Sequence, residues 1–407
     1  MSRLLSNIRV LDLSRILAGP WATQNLADLG ADVIKIERPG EGDDTRHMGP
    51  PFMNDPSTGE PGDAAYFMCC NRGKKSVAID FSQSQGQAVV RKLVQQADVL
   101  VENYKVGALA KYGLDYTSLK SVNPELVYCS VTGFGQTGPY KDRAGYDYLI
   151  QGMSGLMSVT GERDDLPGGG PQRVGVAVSD LMAGMYATVA ILAALHHRDA
   201  GHGGQHIDIS LLDCQVGALV NQGLNYLVSG QAPQRMGSGH PNIAPYAVYP
   251  AADGHLILAV GNDTQFRRLC EAIGQPDMGT DERFSTIRQR VAHRADLDAW
   301  LTPITRSRSV DDWVALLERA QVPGGPINDI ARVFHDPHVM ARGMRMELSH
   351  PKYGSVPSVR NPMRFSETPL EFKSAPPLLG QHTDQVLQAL DLGPEDIAGL
   401  RQAGVLG

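Results

Sequence analysis

Two β-branched segments with a helix-forming stretch between them open the chain, and they constrain its fold more than any other feature. Ile8–Leu13 and Asp32–Glu37 each predict a buried strand, and Ala22–Gly30 predicts a helix that ends at its glycine. Strand, helix and strand within about 30 residues form a βαβ unit, which crosses over right-handedly into a parallel sheet. The opening of the chain therefore predicts an α/β fold built on a parallel sheet.

The same alternation continues along the chain and predicts two domains. Further strands are predicted at Lys75–Asp80, Asp98–Glu102, Leu126–Val131 and Gly254–Val260, and further helices at Ser84–Gln96, Ser210–Val228, Gln265–Ile273, Arg288–Arg306, Ser309–Ala320 and Thr383–Leu390. We expect a large Rossmann-like domain that begins with residues 1–225 and is completed by a second linker and returning segment, 336–407. Residues 251–335 are expected to form a smaller α/β domain, reached through a Gly- and Pro-rich linker or lid at 226–250.

Composition and charge exclude several classes of protein. The apolar stretches fall short of the roughly 20 uninterrupted residues of a membrane span, and the N-terminus lacks the apolar segment of a secretory signal. Five scattered cysteines without a CxxC pair, and twelve histidines without metal-ligand spacing, predict neither disulfides nor a metal site. A formal net charge of −7 disfavours a nucleic-acid surface. We therefore expect a cytoplasmic enzyme with no metal, no membrane contact and no nucleic-acid partner.

Asp180 stands near the start of a long apolar helix that continues to about His197, and Val174–Val178 before it predicts a strand. A carboxylate at a helix N-terminus lies at the positive end of the helix dipole, which favours its ionised form and its use as a nucleophile. The alternative is that Ser179 and Asp180 only cap the helix, as such residues commonly do. The pattern alone leaves both roles open.

Cationic side chains gather where the predicted strands begin or end. They are Arg38, Arg72, Lys74, Lys75, Lys105 and Lys111. Because ligands of open α/β sheets bind at the carboxyl ends of the strands, these cations suggest a polyanionic ligand, although each alone could be a solvated surface charge. Glu37 occupies the place of the ribose-binding acid of NAD proteins, but the first turn, Ser14–Pro20, lacks GxGxxG, so no dinucleotide site is expected.

Several sequence blocks are similar to those of one enzyme family. They are Leu17–Pro20, Leu26–Pro39, Gly42–Arg46, Val101–Asn103, Thr132–Pro139, Gly203–Gln205 and Leu378–Thr383, in order along nearly the whole chain. These blocks resemble the class III CoA-transferases, a family that also contains carnitine CoA-transferase, formyl-CoA:oxalate CoA-transferase and α-methylacyl-CoA racemase. The resemblance implies a Rossmann-like large domain made from both chain ends, a small domain between them, and a homodimer of two subunits interlocked as rings.

The resemblance also implies a mechanism with Asp180 as the nucleophile. The carboxylate attacks the donor thioester to give a mixed anhydride, and the released CoA then forms an aspartyl-CoA thioester. The acceptor acid repeats these steps in reverse. Coenzyme A therefore enters and leaves as a thioester, and neither a metal nor a redox cofactor is expected.

The resemblance also assigns CoA contacts to fifteen residues of this chain, by their position in the family's sequence blocks. They are Ile16, Leu17, Ala18, Arg38, Arg72, Gly73, Lys74, Lys75, Asn103, Tyr104, Lys105, Lys111, Gly145, Tyr146 and Asp147. The amides of residues 16–18 are expected to stabilise an oxyanion beside the reacting centre, and Arg38 to bind the adenosine-phosphate end of CoA. Leu17 replaces a glutamine of formyl-CoA transferase, so a side-chain contact is not expected there. Lys111 replaces an arginine, which keeps the positive charge but loses the ability to form two parallel hydrogen bonds to one anion.

Two alternative functions remain compatible with the resemblance. Acyl-CoA racemases of this fold remove an α-proton with a histidine, but Tyr146 stands at that position, and a free tyrosine titrates at about pH 10. A non-catalytic CoA-binding protein is expected to lack the nucleophile, whereas Asp180 is present. The sequence therefore favours a transferase over both.

The substrates are predicted from three short segments. Gly42–Pro51, Arg143–Asp147 and Leu224–Leu227 look closest to the succinyl-CoA:glutarate branch of the family. This likeness predicts CoA transfer from succinyl-CoA, or a similar acyl-CoA, to a C4 or C5 dicarboxylate such as glutarate, itaconate or mesaconate.

The second carboxylate of such an acceptor requires a cation or several hydrogen-bond donors in a closed site. The candidates are Arg15, Arg46 and His240. Each of them could equally form a structural ion pair. Gly237–His240 is a candidate lid whose glycines let it close over Asp180 and exclude water.

Overall fold

The computed structural model describes residues 4–407, which form two compact units. The first contains residues 4–156, Val174–Leu224 and His338–Gly407, and the second contains Met157–Arg173 and Asn225–Pro337. Residues 157–173 and 226–250 both belong to the second unit. The predicted domain boundaries at 225 and 336 stay a prediction.

Six parallel strands form the central sheet of the first unit. In chain order the strands of the protein are β1 (Arg9–Asp12), β2 (Asp32–Glu37), β3 (Phe52–Asn54), β4 (Pro61–Ala64), β5 (Lys74–Ala78), β6 (Val99–Glu102), β7 (Val127–Thr132), β8 (His206–Ser210), β9 (Tyr246–Pro250), β10 (His255–Ala259), β11 (Gly324–Pro326), β12 (Arg345–His350) and β13 (Gly354–Val359). The large sheet has the order β5-β2-β1-β6-β7-β8, and every neighbouring pair in it is parallel. All six carboxyl ends therefore lie at one edge, where such sheets bind ligands.

Helices cover both faces of this sheet. In chain order the helices of the protein are α1 (Ala18–Asp28), α2 (Ala65–Cys69), α3 (Ser84–Gln95), α4 (Tyr116–Lys120), α5 (Asp147–Met153), α6 (Leu156–Val159), α7 (Val178–His197), α8 (Leu211–Gly217), α9 (Val220–Ser229), α10 (Asp263–Ala272), α11 (Ile287–Ala292), α12 (Arg294–Thr305), α13 (Val310–Ala320), α14 (Ile330–His335), α15 (Pro337–Ala341), α16 (Thr383–Gln388) and α17 (Pro394–Gln402). Val10 of β1 packs in a core with α1, α7 and α8, and Leu11 packs in another with α3, α16 and α17. Because successive strand residues face opposite sides, the sheet is buried on both faces. The predicted α/β class with a parallel sheet is confirmed.

Three predicted elements differ in the structure. The strand expected at Val174–Val178 is absent: the Val174 N–H donates to Gln151 Oε1 at 2.8 Å instead of to a neighbouring strand, and α7 begins at Val178. The helix expected over 210–228 is divided into α8 and α9, with Val220 at a φ of 38°. The helix expected over 288–306 is likewise divided, between α11 and α12.

The second unit contains a smaller antiparallel sheet, β11-β10-β9, and the helices α10 to α13. Its core is formed by large apolar side chains, among them Phe266, Leu297 and Trp313, which are fully buried. The buried indole N–H of Trp313 donates to the Thr305 carbonyl at 2.8 Å, so burial of this polar atom is compensated. The second unit thus combines helices with a small β-sheet around its own hydrophobic core.

Within residues 4–407, one helical stretch, Val178–His202, is long and apolar enough to cross a membrane by length and composition. Ala183, Ala187 and Ile191 on this helix lie in the hydrophobic core of the first unit. The apolar character of α7 is thus accounted for in part by packing against the sheet.

Candidate active site

The turn between β1 and α1 rests on a buried group of charges. Asp12 accepts a hydrogen bond from the Ser14 hydroxyl and is paired with Lys74 at 2.9 Å. Lys35 donates to the Ser14 carbonyl at 2.8 Å and is paired with Asp43, also at 2.8 Å. Burial opposes ionisation, but Lys35 holds the pKa of Asp43 down, at about 2. The charges therefore persist in the core, and they fix the loop that follows β1.

Asp180 does not cap α7. The helix N-cap is Ala177, which makes no side-chain hydrogen bond, and the buried carboxylate of Asp147 accepts from the Ser179 N–H at 2.9 Å instead. Among the described residues, no group donates a hydrogen bond to the Asp180 carboxylate. The capping alternative for Asp180 is therefore wrong, and Asp147 occupies that role.

Burial, followed by the charge of Asp147, raises the pKa of Asp180 to about 7. This contradicts the expectation that the helix dipole would favour the ionised form, since desolvation and a like charge outweigh the dipole. The shift has a chemical consequence: the ionised carboxylate is more basic than an ordinary aspartate and is not stabilised by donors. Such a group is a better nucleophile once it loses its proton.

Asp180 lies beside the start of α1. A Cβ atom added to Gly184 would lie 2.7 Å from the Ala18 carbonyl oxygen, so the two helices touch there. Asp180 precedes Gly184 by four residues on α7, and residues at this spacing share one face of a helix. The nucleophile candidate therefore lies on the face of α7 that packs against the start of α1.

Tyr66 is a site residue that the sequence did not reveal. Burial, and after it the negative charge of Asp180, raises the pKa of Tyr66 to about 12. The phenol therefore keeps its proton at neutral pH and can donate a hydrogen bond near the carboxylate. The segment Ala65–Phe67 around it has no pattern that distinguishes a functional tyrosine from a core tyrosine.

A cavity of about 530 Å³ opens at the carboxyl edge of the sheet. Its lining includes Arg15, Lys35, Arg38, Asp44, His47, Phe81, Tyr104 and Tyr112. Lys111 adds a cation at its margin, with its ammonium group 4.6 Å from the centre of the Tyr112 ring. The cavity thus combines cations and aromatic rings, which suit a nucleotide carrying phosphates, with the carboxylates of Glu37, Glu41, Asp43, Asp44 and Asp80.

Several predicted CoA residues direct their side chains elsewhere. Arg72 is buried in a bidentate pair with Asp28, at 2.9 and 2.6 Å, and Gly73 packs against Ala27. Lys74 is buried against Asp12, as described above. Lys75 pairs at 2.6 Å with Asp32, the first residue of β2, and so lies at the opposite edge of the sheet. None of these three cations has a side chain free to meet a ligand at the cavity.

The remaining predicted positions lie in two loops of the first unit. Asn103 bonds to the Arg15 backbone, and Lys105 is exposed. Gly145 lies so close to Gly133 that a Cβ on either would come within about 2.6 Å of the other backbone. Tyr146 is 70% exposed just before α5. The CoA roles of these residues stay predictions.

Of the three candidates for the distal carboxylate, Arg46 is already fully engaged. It is 3% exposed, forms two 2.8 Å bonds to Glu37, and bonds to Asp63 at 2.9 Å. Its guanidinium also stacks 3.6 Å from the centre of the Phe67 ring. Arg46 therefore forms the structural ion pairs that the sequence left open as the alternative, and its substrate role stays a prediction.

The other two candidates have different surroundings. Arg15 is half-exposed, pairs with Asp44 at 2.9 Å and lines the same cavity as Arg38. His240 belongs to the second unit, where its Nδ1 accepts from the Asn242 N–H at 3.1 Å and its ring meets Tyr246. The roles of His240 and of the Gly237–His240 lid stay predictions. In residues 4–407, no group of three or more His, Cys, Asp and Glu side chains is arranged to hold a metal.

Residues 5–383 match the family model described as CoA-transferase family III. The chain belongs to this family, as its sequence blocks predicted, and it is a class III CoA-transferase.

Its relatives cover nearly the whole chain. The chain is 52% identical to a succinate–glutarate CoA-transferase of Agrobacterium fabrum over 95% of its own length and 96% of the relative. It is 40% identical to the human succinyl-CoA:glutarate CoA-transferase, over 99% and 90% of the two chains. A crystal structure of a CaiB/BaiF family protein from Brucella suis is 50% identical, covers 96% of this chain and 100% of the other, and gives a TM-score of 0.84.

Proposed function

We propose that this enzyme transfers CoA from succinyl-CoA to a C4 or C5 dicarboxylate, with glutarate as the first acceptor to test and itaconate and mesaconate as the next. The observation that carries the proposal is the carboxylate of Asp180, which is largely buried, has no donor among the described residues and has a pKa of about 7. Relatives at 52% and 42% identity bear the names of succinate–glutarate and succinyl-CoA:glutarate CoA-transferases. A relative at 36% identity is named a succinyl-CoA:mesaconate CoA-transferase.

The proposed reaction conserves the acyl activation at every step. Asp180 attacks the thioester carbonyl of succinyl-CoA, so a C–O bond forms, the C–S bond breaks and CoA thiolate leaves. The thiolate attacks the aspartyl carbonyl of the anhydride, which releases succinate and leaves an aspartyl-CoA thioester. The acceptor carboxylate attacks the aspartyl carbonyl of that thioester, which breaks the C–S bond, releases CoA thiolate and forms a second mixed anhydride. The thiolate then attacks the acceptor acyl carbon, which gives the new CoA thioester and frees the Asp180 carboxylate.

Groups near Asp180 suit the charge that develops in these steps. Each tetrahedral intermediate places a negative charge on a former carbonyl oxygen, which hydrogen-bond donors stabilise. The Tyr66 phenol keeps its proton and is one such donor, and the amides that open α1 are others. The negative charge of Asp147 raises the pKa of Asp180 and so keeps the nucleophile basic.

We propose further that the active enzyme is a cytoplasmic homodimer of interlocked subunits, each with a Rossmann-like large domain and a small domain. Large apolar side chains on α7 and α9 support an assembly, since they are exposed in the single chain. They are Tyr186, Val189, Val220, Leu224, Leu227 and Val228. Exposed apolar side chains of this kind are usual at subunit contacts. Sedimentation of the purified protein tests the dimer.

A panel of acceptor acids tests the proposed function. With succinyl-CoA as donor, glutarate, itaconate and mesaconate should yield the corresponding CoA thioesters, and propionate, which lacks a second carboxylate, should not. Product masses identify each thioester. Exchange of the α-hydrogen of a branched acyl-CoA in D₂O without CoA transfer would instead establish the racemase alternative, and transfer confined to oxalate would contradict the choice of acceptor.

Replacing Arg38 tests the cavity as the CoA site. Arg38 is exposed, and its only ion-pair partner among the described residues is Glu41, so Arg38→Ala should leave folding intact. We expect CoA to bind about 10- to 100-fold more weakly, because a charged hydrogen bond to phosphate contributes roughly 1.5–3 kcal/mol. Calorimetry measures the Kd, and 3′-dephospho-CoA shows whether that phosphate is the partner. Arg401→Ala, which removes another exposed arginine of an ion pair, is the control; equal Kd values in both variants would refute the assignment.

A further inference from the structure

The second residue before the start of α1 has an unusual backbone. Ile16 has a φ of 70°, in the left-handed region. Glycine adopts this region readily, but a β-branched side chain such as isoleucine is strained there. Such strain persists only where the surrounding structure over-determines the conformation, and it clusters at functional sites. The contacts that hold Ile16 are therefore informative.

Those contacts come from both sides of the loop. The Asn103 side chain clamps the backbone of Arg15, the residue before Ile16. Its Oδ1 accepts from the Arg15 N–H at 2.9 Å, and its Nδ2 donates to the Arg15 carbonyl at 2.6 Å. The Ile16 N–H donates to Asp43 Oδ1 at 3.2 Å, and Asp43 is itself fixed by its buried pair with Lys35. The Ile16 carbonyl faces the Cys70 thiol at 3.6 Å.

The clamp leaves a set of unused donors at the beginning of α1. The Ile16 N–H is occupied by Asp43, so it is not available to a ligand, contrary to the expectation from the family. For Leu17, Ala18 and Gly19, no acceptor of the backbone N–H is present in the part of the chain that the structure describes. The start of α1 packs against α7, the helix that carries Asp180, at the contact of Gly184 with the Ala18 carbonyl.

We propose that Asn103 is a positioning residue, which holds Ile16 in its left-handed conformation so that the amides of Leu17 to Gly19 face the carbonyl attacked by Asp180. The inference rests on the proposed function, since it assigns these amides to the tetrahedral intermediates of CoA transfer. Asn103 acts through the Arg15 backbone and not by binding CoA. This role is proposed in place of the CoA contact predicted from the sequence, because the Oδ1 and the Nδ2 each make a hydrogen bond to the Arg15 backbone.

The variant Asn103→Ala removes both bonds of the clamp, and Asn123→Ala is its matched control. Asn123 donates to the Val94 and Ala97 carbonyls at 2.9 and 2.8 Å and accepts from the Glu125 N–H at 3.1 Å, in the same unit but away from the cavity lining. Both variants should lose a similar amount of thermal stability. In Asn103→Ala alone, kcat should fall by about 100-fold, the cost of misplacing a reacting group by about 1 Å. The Kd for CoA should change less than threefold.

The outcomes separate this proposal from its rivals. A large rise in the Kd for CoA with little change in kcat would make Asn103 a ligand contact and overturn the positioning role. Equal losses of kcat in Asn103→Ala and Asn123→Ala would mean that Asn103 contributes only to general stability, and this result would also overturn the proposal.

Hydrogen–deuterium exchange tests the clamp of Asn103 on Arg15 without any measurement of enzyme activity. Deuterium uptake by the peptide that contains residues 14–20 should rise in Asn103→Ala and not in Asn123→Ala, because only the first variant frees the loop. If the wild-type enzyme transferred CoA to none of the acceptors, the proposed function would fail while this measurement still reported on the clamp. Unchanged uptake in Asn103→Ala would contradict the clamp itself.

Discussion

The variant Asp180→Asn should lose CoA transfer almost completely, with kcat reduced by about 10⁴-fold or more, the scale seen when an enzyme loses its nucleophile. Asparagine has the shape of aspartate but cannot form the anhydride or the thioester. The fold and the affinity for CoA should be retained, because no described residue donates a hydrogen bond to the Asp180 carboxylate. Steady-state rates and calorimetry with CoA measure the two quantities. Wild-type enzyme mixed with succinyl-CoA and quenched with hydroxylamine should carry a modified peptide around position 180, and the variant should not.

A control aspartate exists in the second unit. Asp296 also lies in the first turn of a helix, α12, and it is exposed. Asp296→Asn should therefore leave kcat unchanged. Substantial activity in Asp180→Asn, or an equal loss in Asp296→Asn, would remove the basis for a covalent mechanism at position 180.

The raised pKa of Asp180 predicts how the same variant affects stability. Because the folded-state pKa is about 7 and the ordinary value is 3.8, the folded protein holds this proton over a range in which the unfolded chain has lost it. The wild type is therefore destabilised relative to Asp180→Asn as the pH rises from about 4 to about 7, by an amount on the order of 4 kcal/mol at most. Melting temperatures at pH 5 and pH 8 should show a larger advantage of the variant at pH 8. The opposite order would mean that the carboxylate is stabilised in the folded state.

The sheet was predictable because its strands alternate with helices in a regular sequence pattern. β2 was predicted with its observed bounds, since Asp32–Glu37 is β-branched and buried on both faces. β8 is not among the predicted strands, although residues 206–210 alternate polar and apolar side chains, because five residues with only two isoleucines give a weak strand signal. The Val174–Val178 segment was predicted as a strand from its valines, yet Gln151, far from it in sequence, satisfies its backbone instead.

The site was predictable only where its residues lie close together in a recognisable block. The segment 16–18 and Asp180 are predicted in this way, and their roles stay predictions. The clamp of Asn103 on Arg15 joins residues 88 positions apart, and the cap of Asp147 on Ser179 joins residues 32 apart, so no local pattern could reveal them. Buried and ligand-binding cations also look alike in a sequence, because whether an arginine already has a carboxylate partner depends on the fold.

Arg46 illustrates that last point with a large expected effect on stability. Arg46→Met removes a guanidinium that neutralises Glu37 and Asp63, and it leaves the buried Glu37 carboxylate without its cation. Loss of one partner of a buried ion pair typically lowers the free energy of unfolding by about 3–5 kcal/mol. We therefore expect a strongly destabilised protein, measured by urea denaturation, whose folded fraction keeps the wild-type KM for the acceptor acid.

Arg163→Met provides the matched control. Arg163 forms a similar two-bond pair with Asp165, at 2.9 and 2.6 Å, but both side chains are more than half exposed. Water screens such a pair, so its loss should lower the free energy of unfolding far less than the loss of Arg46 does. The contrast between the two variants isolates burial as the cause. If Arg46→Met were as stable as the wild type and instead raised the KM for glutarate, Arg46 would be a substrate residue after all, and the ion pair with Glu37 would have to open during catalysis.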